Sequence, residues 1–459
     1  MKKAIELHNV TFSYTEDSAI LKNVSYEQDY GEFVVLQGIS GEGKTTFLSV
    51  INGIIPHING GDLEGKIFLD GEDVTELSAG KRARLAGSVL QNADDQIVDD
   101  KAEDEVAFGC ENLNIPINEM KERVSSSLEK MMISPEVSTR TLSGGQKQRL
   151  ITAAALAMGQ RIILLDEPLA NLDRESAVFL LRTLKELTQS GYAVLIVEHR
   201  LDLVLPFADK VYSISEGEII LEKDPQKILT HNQEIIPYDN EPLKRGKTLI
   251  ETSNIEYAAG SIPIIRGVSL NIREGERITI LGANGCGKTT LLKLLARLIY
   301  PTGGGYLQNI VKTNFLTTLF AAPSWFKKAG YVYQNPSYQL FMPTVREEIG
   351  YRAASKERAE RMIEMFGLRG LEERHPHSLS EGQKRRTGVA AVCACDPKIL
   401  FLDEPTVGQD FENLKLMVNS IRTLQKESGF AVVTVTHDIR CKDALSDRKI
   451  TMKLGKTVQ

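Results

Sequence analysis

The sequence predicts an α/β chain of two tandem domains, each folded around a mainly parallel sheet. Three observations predict it. A set of short motifs recurs in the same order at offsets of 237 to 244 positions, pairing Lys44 with Lys288, Gln91 with Gln334, Ser143 with Ser380, Asp166 with Asp403 and His199 with His437. That offset is far longer than a solenoid repeat and fits one domain per copy. Within each copy, short apolar runs alternate with helix-like stretches, the pattern of parallel strands joined by crossover helices. Length agrees, because 459 residues exceed a single core and suit two.

The first domain is expected over residues 1–237 and the second over 248–459. Between them, residues 231–247 are polar, contain proline and lack an apolar period, so they read as connecting chain with the linker proper at 238–247. Composition is that of an ordinary globular protein, and no apolar run approaches the roughly 18 to 20 residues needed to span a bilayer. The Met1-Lys2-Lys3 start leads into a strand-like segment, which argues against a signal peptide. A net charge of −6 argues against a nucleic-acid surface. Five irregularly placed cysteines form no disulfide framework and suit a reducing compartment, and the Cys393/Cys395 pair reads as buried structure, not as a metal site.

Each domain opens its chemistry with a phosphate loop. Gly38, Ser40, Gly41, Gly43, Lys44 and Thr45 in the first, and Gly282, Asn284, Gly285, Gly287, Lys288 and Thr289 in the second, fit G-x-x-x-x-G-K-[ST]. An apolar strand precedes each loop and a helix follows, beginning with Thr46 and Thr290. Glycines let the backbone approach phosphates, and the N–H groups of the loop and of the helix start form an anion cradle. Lys44 and Lys288 are expected to reach the terminal phosphates, and Thr45 and Thr289 to offer hydroxyls to Mg²⁺.

Further along, Ile162-Ile163-Leu164-Leu165 ends in Asp166-Glu167, and Ile399-Leu400-Phe401-Leu402 ends in Asp403-Glu404. A buried strand that delivers two acids beside phosphates supplies a Mg²⁺ partner and a water-orienting base. Asp166 and Asp403 take the first role; Glu167 and Glu404 take the second. His199 and His437 each follow one more apolar strand, where an imidazole can meet the γ-phosphate.

One further segment narrows the family. Leu142-Ser143-Gly144-Gly145-Gln146 and Leu379-Ser380-Glu381-Gly382-Gln383 each stand 24 residues before the aspartate of their domain. With the other motifs in order, this resembles the signature of ABC ATPases. The resemblance covers essentially the whole chain. It implies an antiparallel β subdomain and a helical subdomain beside each core sheet, with ATP and Mg²⁺ as ligands. It also implies Gln91 and Gln334 as Q-loop residues touching Mg²⁺, Tyr14 and Tyr257 as adenine-stacking aromatics, and Asp173 and Asp410 as D-loop aspartates. Because the family pairs its domains head to tail, Lys44 would work with Ser380 and Gly382, and Lys288 with Ser143, Gly144 and Gly145. Gln146 and Gln383 complete the signatures.

Two glutamates break the symmetry. Glu381 replaces a signature glycine and Glu42 lies inside the first phosphate loop, which predicts slower hydrolysis where Lys44 and Ser380 meet. Cys286, in the second loop, is expected either as a reactive thiol or as a small filler.

Segments near Ile55-Pro56-His57, Asp104-Glu105-Val106 and Val345-Arg346-Glu347, with Gln96 and Gln339 five residues beyond the Q-loop glutamines, resemble the energy-coupling factor (ECF) importers. That resemblance implies a transmembrane coupling subunit and a small substrate-binding membrane subunit as partners. It implies vitamins, their precursors or metal ions as cargo, and a peripheral place at the cytoplasmic face of the cell membrane. The alternatives are the tandem ATPase of a sugar or peptide importer, or a soluble twin acting on ribosomes or DNA.

Overall fold

The computed structural model describes residues 2–15, 19–39, 41–170, 172–225, 227, 236, 245–310, 323–406, 409–436, 438 and 443–458. Ser40, His437, parts of both D-loops and most of the expected linker lie outside the described residues. The chain divides into two compact units, Met1–Gln233 and Glu234–Gln459.

In the first unit, β1 (Lys3–Ser13), β2 (Ala19–Asp29), β4 (Asp62–Leu69) and β5 (Glu72–Asp73) form an antiparallel sheet in the order β2-β1-β4-β5. The second sheet uses β3 (Phe33–Gln37), β6 (Ala86–Val89), β7 (Ile162–Asp166), β8 (Ala193–Val197), β9 (Lys210–Ser215) and β10 (Glu218–Leu221), in the order β10-β9-β3-β8-β7-β6. All its pairings are parallel except the β9–β10 hairpin. β7 and β8 are buried at every position, which explains their unbroken apolar runs: a parallel sheet covered on both faces has no polar side.

The second unit repeats the plan. β11 (Thr248–Ala259), β12 (Ile262–Arg273) and β14 (Gly303–Gln308) form the antiparallel sheet. The core sheet runs β15-β16-β17-β13-β18-β19, from β13 (Arg277–Leu281), β15 (Ala329–Val332), β16 (Ile399–Asp403), β17 (Ala431–Val435), β18 (Arg448–Lys453) and β19 (Lys456–Val458). Beside the sheets, helices Ala102–Asn112, Ile117–Lys130 and Gly144–Ala157 in the first unit answer to Val345–Gly350, Lys356–Met365 and Glu381–Ala394 in the second. Both units are therefore α/β with a mainly parallel core sheet, an antiparallel sheet and a helical part. Among the described residues no helix is long and apolar enough to cross a membrane.

Each unit closes the end of its phosphate-loop helix differently. Arg82, fully buried, donates to the carbonyls of Val50 (2.7 Å), Ile51 (3.2 Å), Leu77 (2.9 Å) and Thr75 (2.9 Å). Val50 and Ile51 lie in the last turn of helix Lys44–Asn52, whose carbonyls lack helical partners, and a cation there also complements the helix dipole. Burial pulls the guanidinium down to about 10, still charged at neutral pH. In the second unit the equivalent position is Trp325, fully buried, whose indole N–H donates to Ala296 O (2.9 Å) just past helix Lys288–Leu295.

Arg82→Ala strands four carbonyl contacts, two of them fully buried. It should lower the stability of the first unit by about 3 kcal/mol, read as a fall in its urea midpoint. Trp325→Phe loses that hydrogen bond and leaves a cavity where the rest of the indole packed, so the second unit should lose about 2 kcal/mol.

Candidate functional site

Strand order puts the expected residues side by side. In the first unit β3, β8, β7 and β6 are consecutive neighbours, and Leu36, Val197 and Asp166 lie in one register row. The C-terminal ends of these strands therefore present, in order, the phosphate loop, His199, the acid pair and Gln91. Adjacent strands are about 5 Å apart, so residues far apart in sequence meet along one edge. This is the strand-end crevice where open α/β sheets bind ligands. In the second unit Ile280, Val435 and Asp403 form the same row, with Gln334 after β15.

The loops have the backbone of an anion cradle. Gly38, Gly41 and Gly43 have φ of 158°, 96° and 98°; Gly282, Gly285 and Gly287 have 147°, 76° and 101°. A Cβ on Gly38 would stand 2.6 Å from Ile214 O, and one on Gly282 would stand 2.4 Å from Met452 O. Side chains are thus barred where the loop leans on the next strand. Helices Lys44–Asn52 and Lys288–Leu295 start without a side-chain cap, leaving first-turn N–H groups for a ligand. Lys44 Nζ donates to Gly38 O (2.9 Å) and Ile39 O (2.7 Å); Lys288 Nζ donates to Gly282 O (2.8 Å) and Ala283 O (2.9 Å). Each lysine bridges its own loop.

The acids are buried. Asp166 is raised to about 7 by burial and by the charge of Glu167, against the Thr45 hydrogen bond and the charges of Lys44 and His199. Its Oδ1 is buried with no hydrogen-bond partner among the described residues. A buried carboxylate oxygen left unpaired beside a threonine hydroxyl suits a hard divalent cation, so Mg²⁺ fits Asp166 and Thr45. Asp403 is likewise raised, chiefly by burial, but accepts from Thr289 Oγ1 (2.9 Å) and from the Tyr331 hydroxyl (3.0 Å).

Glu167 and Glu404 both sit in the left-handed region, with φ of 44° and 47°. For a residue other than glycine that is a strained backbone, and it recurs at both expected bases. Burial alone would raise Glu167, yet His199, Lys44 and Gln91 hold it below the usual carboxylate value. Gln91 Nε2 donates to its Oε2 (3.0 Å), and His199 Nε2 lies 3.0 Å from its Oε1. The imidazole lowers Glu167 both as a hydrogen-bonding neighbour and, when protonated, through its charge. Gln334, by contrast, is exposed and holds no such bond to Glu404.

Both signature serines are helix caps. Ser143 accepts from Gln146 N (3.3 Å) while its own N–H donates to Gln146 Oε1 (2.9 Å); Ser380 and Gln383 repeat this at 3.3 and 3.1 Å. Gly144 is exposed, whereas Gly382 is buried. Asp173 and Asp410 also cap helices, Arg174–Gln189 and Phe411–Ser428. Tyr14 is half-exposed beside the phosphate loop, its hydroxyl 3.4 Å from Thr46 Oγ1. Tyr257 lies within β11 and packs on the second unit's core.

The two symmetry-breaking glutamates are already engaged. Glu42 Oε2 accepts from Glu216 N (2.7 Å) in the β9–β10 turn, and Glu381 pairs with Lys384 (2.8 Å). Each glutamate therefore has a partner within its own unit. Cys286 is buried in the second core, its carbonyl bonded by Gly455 N, so filler is the better description of it than accessible thiol.

Some residues at the site were not singled out by sequence. Glu198 and Arg200, either side of His199, and Tyr331 have no identical counterpart in the other half, so the repeat could not mark them. Gln96 and Gln339 close the Q-loops by accepting from Leu90 N (2.7 Å) and Tyr333 N (3.0 Å). Glu105 and Glu348, both buried, each accept from two successive backbone N–H groups after those loops.

Comparison with known proteins agrees with this geometry. The ABC transporter family profile matches residues 21–170 and 265–407. A protein of Methanosarcina mazei, provisionally named an ABC transporter ATP-binding protein, is 33% identical over 525 aligned positions, covering 99% of this chain and 88% of that one. The Bacillus subtilis protein YkoD, whose name assigns it provisionally to HMP/thiamine import, is 32% identical over 98% of this chain and 89% of its own length. Among solved structures, RNase-L inhibitor covers 98% of this chain and 90% of its own at TM-score 0.61, and a ribosome-bound archaeal Pelota and ABCE1 structure reaches 0.70 with 98% and 78% covered. Both are 22% identical and show the tandem fold alone.

Asp166 also sets a pH dependence. A carboxyl titrating near 7 in the fold but near 3.9 in the unfolded chain holds its proton longer when folded, so stability falls as pH rises through that window. Ligand-free Asp166→Asn should therefore melt roughly 5 °C above the parent at pH 8. The gain should vanish by pH 4 in the same calorimetric series.

Proposed function

Because the chain belongs to the ABC transporter family, as a tandem ATPase that binds ATP with Mg²⁺, we propose that it powers an ECF-type importer of a vitamin, vitamin precursor or metal ion. The observation that carries this reading is its full-length likeness to YkoD, 32% identical and named for HMP/thiamine import. The matched build around both Q-loops supports it: Gln96 with Gln339 and Glu105 with Glu348 stiffen the surface beside each catalytic edge. In this reading the protein sits peripherally at the cytoplasmic face of the membrane, beside a transmembrane coupling subunit and a small substrate-binding subunit.

Within each half, Lys44 or Lys288 and the glycine loop bind the phosphates, and Thr45 with Asp166, or Thr289 with Asp403, holds Mg²⁺. The ion neutralises phosphate charge that develops during hydrolysis. Gln91 and Gln334 would serve the same ion, Glu167 and Glu404 would orient the attacking water, and His199 and His437 would meet the γ-phosphate. Tyr14 stacks on adenine; Tyr257, packed in its strand, does so with less of its ring. The serine-capped helix starts at Ser143 and Ser380 supply further N–H groups, and the two halves act as a pair.

Glu167→Gln combined with Glu404→Gln should lower ATPase at least 100-fold while nucleotide binding persists, as for loss of a water-orienting base. Purification from mild-detergent membrane extracts should bring down two small integral membrane proteins, identified by mass spectrometry. Recovery with ribosomes instead would overturn the importer reading and favour a soluble twin.

A further inference from the structure

We propose that Glu198 and Arg200 are positioning residues that tie the first unit's D-loop to its histidine segment, and that Gln409 is one that ties the second unit's D-loop to the signature helix. The inference rests on the reading of Glu167 and His199 as ATPase residues and is independent of any membrane partner.

In the first unit, Glu198 is buried directly before His199. One carboxylate oxygen accepts from Leu169 N (2.8 Å), and the other from His199 N (2.9 Å) and Arg200 N (3.1 Å). Arg200 returns across the same gap, donating to Leu169 O (2.9 Å) and Leu172 O (2.7 Å). Three hydrogen bonds thus join the segment around His199 to the one leading to Asp173, the cap of helix Arg174–Gln189, and two more fold the Glu198 carboxylate onto its own backbone. A carboxylate held by three N–H groups is a strong, directional anchor. Displacement of His199 by a phosphate contact would pull this segment with it.

The second unit lacks those groups. Thr436 replaces Glu198; its hydroxyl meets Thr406 Oγ1 (3.0 Å) and accepts from Asp438 N (3.1 Å). Asp438 stands where Arg200 stands. Instead, Gln409, replacing the apolar Leu172, donates to Gly382 O (2.8 Å) in the signature helix. From that helix Arg386 donates to Gln409 Oε1 (3.4 Å), and Arg385 to Glu404 O (2.6 Å). In the first unit, Arg149 occupies the position of Arg386 and donates to Met131 O (3.0 Å), just as Arg386 donates to Phe366 O (3.0 Å), so the two arginines share that bond and the Gln409 contact is added in the second unit. Among the described residues, the same loop is therefore anchored by different side chains in the two halves.

The test uses the full chain and exchanges each anchor for its counterpart, Glu198→Thr and Gln409→Leu, with His199→Ala as reference. Readouts are kcat and KM for ATP, plus hydrogen exchange of peptides spanning 167–175 and 404–412. Glu198→Thr should lower kcat about 10-fold with KM within about 2-fold, since misplacement near 1 Å can cost still more. It should speed exchange in 167–175 alone, and Gln409→Leu should speed it in 404–412 alone. Wild-type kcat and exchange in Glu198→Thr, beside an inactive His199→Ala, would overturn the wiring. Faster exchange throughout the first unit would also overturn it, by making Glu198 a general fold-holding residue. An active His199→Ala would instead remove the site reading beneath it.

Discussion

Two adjacent acids at the end of a buried strand are the constraint that the rest of each site depends on. Asp166 and Glu167 lie where water is scarce, so both cannot be ionised without compensation. The first unit separates them. Burial and the neighbouring charge push Asp166 up, while His199, Lys44 and Gln91 hold Glu167 down. Every strand next to β7, and the loop after β3 beyond it, contributes one of these controls. The sheet order is the mechanism by which three distant segments reach one pair of carboxylates.

The halves keep this plan but solve its local problems with different chemistry. An orphaned helix end is closed by the Arg82 guanidinium in one and the Trp325 indole in the other. The first aspartate has an unpaired oxygen; the second is braced by Tyr331. Asp166 is free to take a cation, whereas Asp403 is oriented in advance by a hydroxyl that accompanies it. Identical motif residues therefore stand on non-identical supports. Asymmetry between the halves thus extends to those supports, beside Glu42 and Glu381, which accept from Glu216 N–H and Lys384.

The residues that carry the chemistry were legible because two copies of one pattern are hard to produce by chance. Each phosphate-loop glycine needs a backbone that other residues reach only under strain, and each acid needs an apolar strand before it. Their residue types are dictated locally. The supports were not legible. Arg82 and Trp325, or Glu198 and Thr436, share a position and a task but no side-chain type, so comparison of the halves passes over them. The same holds for Gln91 and Gln334, which are identical in sequence yet differ in whether they touch the neighbouring glutamate.

By itself, then, the sequence determined the fold class, the duplication, and the loops, acids and signatures that make the chain an ATPase, because each is a local demand of backbone geometry or burial. Only the tertiary structure decided how those parts are held: that Lys44 bridges its own loop, that both signature serines cap helices, and that Glu167 and Glu404 share a strained backbone. It also decided where each D-loop is anchored. Such contacts join residues tens to hundreds of positions apart, and a hydrogen bond of that reach depends on strand order, which no short stretch of sequence contains.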